Sequence, residues 1–436
     1  MHGQSFSGSL LCRRGRPALS AALVIGVLVA AGACSSGPLV DTRSAAAPTS
    51  TARSTTSVST PTRTEVADLL QRRAQALVAG DEAGFAATVA DRSTGPGERQ
   101  LAAYRAARSL RLARFTHGAV TTTADPDRPS VRAEVEVRYR VDHFNTADRA
   151  TRVAYDLVRS GGAWAVAAEG PVGTAPAPPW LAMPGLRVVR TPHAVVAGTV
   201  PESRLEEHAA VVDRALPALV TGWDRAPRTV LVLAPGTPTE AQTLLGRPAG
   251  AGDSGVAATT EGPTGPDGRA TGDRIVLDPT AYARLTPAGR DVVLTHELVH
   301  VAVRGSVPGR AALWLAEGYA DHVGYTRSDV PPERLLEPLL AEVRAGRGPV
   351  QLPTAGELDP STSDIEVPYL AAWQAVELLV QRHGEDAVRR LIVASSSTGT
   401  DAQAEAATDR ALGSELRTTR ADFTRDWRAR LEDLAG

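Results

Sequence analysis

The chain has 436 residues and a formal net charge of −2, a length that implies two or three domains. A charge balance so near zero points away from nucleic acid and from electrostatic capture by acidic lipid. All 47 basic residues are arginine, which reads as coding bias and carries no mechanism.

Residues 1–34 read as an export signal. Arg13, Arg14 and Arg16 form a charged start, and an apolar run from Ala18 to Ala33 follows. The run is too short and too rich in small residues to be read as a spanning helix. It ends in AAGAC, with Cys34 directly after small residues. This resembles a bacterial lipoprotein signal, which implies that Cys34 is the lipidated first residue. Ala31 stands where relatives usually carry a large aliphatic residue. An uncleaved amino-terminal anchor and ordinary secretion are the alternatives. All three place the folded part outside the cytoplasm. The two cysteines, Cys12 and Cys34, both precede that part, so no disulfide and no Cys-based zinc site is expected.

Residues 35–62 are rich in Ser, Thr, Ala and Pro and lack aromatic residues. They have little to bury and read as a disordered tether, spanning on the order of 30 Å as a flexible coil.

Residues 63–172 read as a small α+β domain. A helix capped by Thr64 carries Val66, Leu69, Leu70, Ala74, Leu77 and Val78 and stops at Gly80. A second helical piece surrounds Phe85, and a third covers 98–112. From Val131 to Asp142 apolar and polar residues alternate strictly, the mark of a half-buried strand. Val153, Tyr155 and Leu157 mark the next strand, and Gly161-Gly162 turns it towards Trp164 and Val166. Helices followed by an antiparallel sheet resemble the cone-shaped nuclear-transport-factor-2-like superfamily, some members of which hold a ligand. No polar constellation stands out here, so a spacer or docking role is the simpler expectation. His117 and His143 read as ordinary surface or strand histidines.

Residues 173–185, Pro-rich at their centre, read as a linker. Strands are expected at 186–189, 194–196 and 228–235, with a helix over 201–220 between them. Residues 246–273 are Gly-rich without apolar period and read as a loop, either a rim of a site or an insertion. A short strand follows over 273–279.

DVVLTHELVHVAV (291–303) lies in an apolar helix with Thr286 as its cap, Pro287 as its first residue and Arg304-Gly305 as its stop. His296 and His300, four apart, share one helix face and can reach one metal ion. Imidazole nitrogens suit Zn²⁺. The carboxylate of Glu297 can lie beside a water at that ion and take its proton. In a buried helix these three groups need partners, and a metal supplies them. A catalytic zinc needs a third protein ligand. Glu317 stands in the next apolar helical run, with Asp321 four residues on, placed to fix the tautomer of a ligating histidine.

His296, Glu297, His300, then Trp314, Leu315, Glu317, Gly318 and Ala320 resemble the gluzincin metallopeptidases, with H-E-x-x-H followed by W-L-x-E-G-x-A. The resemblance implies a zincin-type domain over 186–436, with a mixed sheet, an active-site helix and a mainly helical carboxy-terminal part. The chain as a whole is then α+β. It implies His296, His300 and Glu317 as Zn²⁺ ligands and Glu297 as general base. It also implies that the 273–279 strand borders the cleft and pairs with an extended peptide or protein substrate. Tyr369, in the helical tail, is the expected oxyanion stabiliser; Tyr319, Tyr325, His322 and His383 are rivals. Ala312 departs from the proline common in relatives. The function implied is an exported, membrane-tethered zinc peptidase. The alternative is a gluzincin-fold binding protein that no longer cleaves, with the amino-terminal domain as ligand or targeting module.

Overall fold

The computed structural model describes residues 61–436 apart from 125–129, 143, 145, 249–255, 327–330 and 360–364. The residues read as an export signal, nearly all of those read as a tether, and His143 lie outside the described residues. Among the described residues no helix is long and apolar enough to cross a membrane.

The fold is α+β. Three helices come first: α1 (Arg63–Ala79), α2 (Glu82–Ala86) and α3 (Gly95–Ser109). The cap of α1 is Thr62, not Thr64. Its hydroxyl accepts from the Glu65 amide while the Glu65 carboxylate reaches back to the Thr62 amide, closing a capping box. An antiparallel meander follows: β1 (Leu112–Ala124), β2 (Ser130–Val141), β3 (Arg149–Ser160) and β4 (Ala163–Pro171). In β2, Val131, Ala133, Val135, Val137, Tyr139 and Val141 all point inward, as the alternation requires. Irregular register between β1 and β2 near His117 and between β3 and β4 at Asp156 marks bulges, which bend the strands.

The stretch read as a linker is packed rather than free. Short helix α4 (Pro179–Ala182) buries Trp180, and Ala177 and Met183 on either side are buried as well. Trp180 meets Tyr139 and Phe115 edge-on.

The second sheet is mixed: β5 (Arg187–Arg190), β6 (Ala194–Gly198), β7 (Val230–Ala234), β8 (Ala258–Glu261) and β9 (Arg274–Leu277), in the order β5-β6-β7-β9-β8. Strands β6, β7 and β9 are parallel, while β5 and β8 run antiparallel at the two edges. Helix α5 (Glu202–Leu219) joins β6 to β7, α6 (Pro238–Leu245) follows β7, and one-turn α7 (Ala281–Arg284) follows β9. This sheet is buried on both faces. Val196, Val232 and Ile275 pack towards α5 and towards α8 (Pro287–Ser306). Val195, Leu231, Leu233 and Val276 face the other way, into one continuous core with Trp180, Met183 and the amino-terminal domain. Such two-sided burial explains why β6 and β7 are unbroken apolar runs.

Two expectations are corrected here. The 273–279 strand is not an edge: β9 is paired with β7 on one side and β8 on the other, so no peptide can be added to it. The edge belongs to β8, inside the stretch read as loop. The residues between β8 and β9 are tied down, since Ala270 N–H donates to the Arg304 carbonyl and Gly309 N–H to the Gly268 carbonyl, each at 2.9 Å.

The remainder is helical: α9 (Leu313–Thr326), α10 (Pro332–Arg344), α11 (Glu366–His383), α12 (Glu385–Ala394), α13 (Asp401–Leu416) and α14 (Arg420–Ala435).

Candidate metal centre

Helix α8 starts as read, with the Thr286 hydroxyl accepting from Gly289 N–H and Pro287 in the first turn. From Val292 to Ala302 every residue is buried, so His296, Glu297 and His300 are carried into the interior by their apolar neighbours. Helix α9 lies against α8 and runs the opposite way. Glu317 meets His296 and His300, Asp321 meets His296, and Gly324 meets Val292. Gly318 is where α9 presses on α11: a Cβ there would stand 2.3 Å from the Ala372 carbonyl oxygen. Only glycine permits that approach, and it fixes the depth to which Glu317 is set.

Three donor atoms converge. His296 Nε2 and His300 Nε2 are 3.0 Å apart. Glu317 Oε2 lies 3.3 Å from the first and 3.5 Å from the second. Both Glu317 oxygens are buried without a hydrogen-bond partner, a costly state for a carboxylate unless a cation stands there. His296 Nδ1 donates to Asp321 Oδ1 at 2.8 Å, which turns Nε2 towards Glu317 and would leave its lone pair for an ion bound between them. The donor set and the orphaned carboxylate agree: His296, His300 and Glu317 could hold a metal ion.

The electrostatics agree as well. Burial opposes charge on His296, but the Asp321 and Glu317 carboxylates overcome it and push the imidazole up to about 10. Burial acts to raise Glu317, yet the two imidazoles hold it down at about 2. The site therefore draws positive charge to itself.

The Glu297 side chain reaches Thr260 on β8. Its Oε2 accepts from Thr260 Oγ1 at 2.5 Å, and its Oε1 is buried without a partner. Burial pushes this carboxyl above its ordinary value, which suits a group that must gain and lose a proton. The surroundings open at His300 and Glu317, which line a cleft of about 330 Å³. Val303, Val307, Leu313 and Ile392 form apolar wall, and Arg304, Arg310, Asp359 and Asp401 supply the charge.

The structure thus brings together His296, Glu297, His300, Glu317 and Asp321. It does not bring Tyr369 to the cleft wall: that side chain is buried in α11 within the helical core. The rivals are engaged elsewhere. Tyr319 donates to Glu385 at 3.0 Å, His322 Nδ1 lies 2.7 Å from Glu377, Tyr325 packs on Trp373 and His383 is exposed. Thr260 was not foreseen. Its strand is four residues long and ends in polar side chains, and Thr259-Thr260 after the small apolar Val256-Ala257-Ala258 was its one signal. No family model matches this chain, and no curated protein matches it either.

Proposed function

We propose that the protein is an exported, zinc-dependent peptidase that hydrolyses peptide bonds in peptide or protein substrates. The observation that carries the reading is the donor triangle, with edges of 3.0, 3.3 and 3.5 Å around a carboxylate that has no other partner. A tetrahedral ion with bonds of about 2.0–2.1 Å holds its ligand atoms about 3.3–3.4 Å apart. Two imidazoles and one carboxylate are a catalytic zinc's set, which leaves one position for water or substrate. Bound zinc supplies Lewis acidity, polarising the scissile carbonyl and making water easier to deprotonate.

The chain's own groups do the rest. Glu297 takes the proton of the attacking water on its unpartnered Oε1 and passes it to the leaving amide nitrogen. Asp321 holds His296 in the tautomer that keeps Nε2 free. The cleft beside His300 takes the side chains flanking the bond. Tyr369 lies buried off the cleft wall, so its role is read as packing: Tyr369→Phe should leave kcat within about threefold, and a fall of about 10²-fold with KM little changed would return its hydroxyl to the scissile carbonyl.

The deciding experiment pairs metal analysis with a peptide-library screen on wild type and Glu297→Gln. The expected result is one zinc per chain in both proteins, with cleavage by wild type and a loss of about 10³-fold in the variant. Metal bound equally but no peptide cut by wild type would leave a binding role for the site. We also read the protein as anchored through a lipid on Cys34. Cys34→Ser should then release it from the membrane fraction, and unchanged retention would refute that anchor.

A further inference from the structure

Edge strand β8 has one foot in each half of the molecule. Successive residues of a strand point to opposite faces, and here the faces have different neighbours. Thr260, fully buried, points to α8. There its hydroxyl meets the Glu297 carboxylate at 2.5 Å and lies 3.3 Å from the Glu297 carbonyl oxygen. Glu261, the next residue, points to the amino-terminal domain. Arg149, the first residue of β3, donates one guanidinium nitrogen to both Glu261 oxygens.

The ion pair is enclosed and shared. Side-chain exposure is 11% for Arg149 and 15% for Glu261. Arg274, opposite Glu261 in the ladder, also donates to Glu261 and sends its other arm to the Leu244 carbonyl at 2.7 Å. Thr146, three residues before Arg149, donates its amide and its hydroxyl to the Thr271 carbonyl, each at 2.9 Å. From the opposite side Arg304, one turn beyond His300 on α8, holds Asp273 at 2.6 Å and the Gly262 carbonyl at 3.3 Å. Both ends of the β8–β9 connection are thereby pinned, each of them to both halves.

We infer that the amino-terminal domain serves as a positioning element for the general base: Arg149 sets Glu261, Glu261 sets β8, and Thr260 on that strand aims the Glu297 carboxylate. With Oε2 held by Thr260, only Oε1 faces the reacting water. A short edge strand has partners on one side only, so a tie from outside the sheet decides how firmly it sits. The arrangement gives Arg149 and Thr260 a function although neither lies among the metal ligands.

This inference rests on the peptidase reading, and its test separates the two. Thr260→Val keeps the shape and removes the hydroxyl, and Thr260→Ser keeps the hydroxyl. The expected result is a fall in kcat of about 10- to 100-fold for Thr260→Val, with KM and zinc content unchanged and most of the loss restored in Thr260→Ser. Arg149→Met should lower kcat in the same direction. Glu261→Gln, which keeps an acceptor and the packing, serves if Arg149→Met fails to fold. Wild-type kcat in Thr260→Val, or an equal loss in Thr260→Ser, would overturn the role of the hydroxyl.

Hydrogen exchange on the full chain supplies the readout that needs no activity. Faster exchange over 258–261 and 294–300 in Arg149→Met or Glu261→Gln supports the coupling between halves, and unchanged exchange there overturns it. If wild type cleaves no peptide, the peptidase reading fails and exchange alone decides the coupling.

Discussion

In the amino-terminal domain Arg73 is buried among Thr88, Gln100 and Glu169, which accept from it at 2.9, 3.1 and 2.9 Å, and its guanidinium sits over the Phe85 ring. In the carboxy-terminal part His296, His300 and Glu317 are as deeply buried, yet both Glu317 oxygens lack a hydrogen bond. The first cluster closes on itself: none of its buried polar atoms is left over. The second leaves acceptors aimed at one point. A satisfied buried network specifies a fold, whereas an unsatisfied one asks for a group the chain does not encode. Satisfaction, rather than burial or charge, separates the closed cluster from the one that could hold a metal ion.

That contrast can be broken in graded steps. The largest effect is expected from Glu317→Gln, which removes an anionic ligand. Zinc affinity should fall by well over the 10–100-fold typical of an outer partner, and any peptidase activity should go with it; a competition titration with a chromophoric chelator reads this out. Arg73→Met leaves Glu169 buried without its cation and should destabilise the fold by about 3–5 kcal/mol in urea unfolding. Zinc affinity should be unchanged. A loss of metal in that variant would erase the distinction between the clusters. Gly318→Ala forces α9 off α11 and should cost about 1–3 kcal/mol, with weaker zinc binding because Glu317 moves. Asp321→Asn should weaken zinc binding by about 10–100-fold with little change in unfolding midpoint.

The smallest step is pH. Burial acts to raise Glu261, but Arg274 and Arg149 together lower it to about 2. A depressed carboxylate contributes stability that is fully present above its unfolded value near 4.5 and is lost as pH falls towards 2. Acid unfolding curves of wild type and Glu261→Gln should therefore converge between those limits and separate above them. Curves that stay parallel would remove the ion pair from the account.

Much of this was legible in the residues. The i, i+4 histidines on an apolar helix and the later Glu317 and Asp321 needed only helical geometry. The strict alternation of 131–142 gave β2 its register and its inward face. What escaped had no period to show. Strand β1 buries only Phe115 and leaves most of its length half-open, so alternation never develops in it. Strand β8 is four residues long with a polar end, and it lay in Gly-rich surroundings. The packing of Trp180 and Met183 escaped because Pro-rich composition speaks of boundaries, not of what lies on either side. The Arg149–Glu261 pair joins residues 112 apart in sequence, and nothing local marks either as a partner of the other.

The central claim is that one divalent ion is gripped by α8 and α9 together. Anomalous diffraction at the zinc edge, from crystals of protein purified without chelator, tests it most directly. A single strong peak is expected within about 2.3 Å of His296 Nε2, His300 Nε2 and a Glu317 oxygen. Zinc-supplemented crystals with no peak there, or with the metal bound to other side chains, would contradict it.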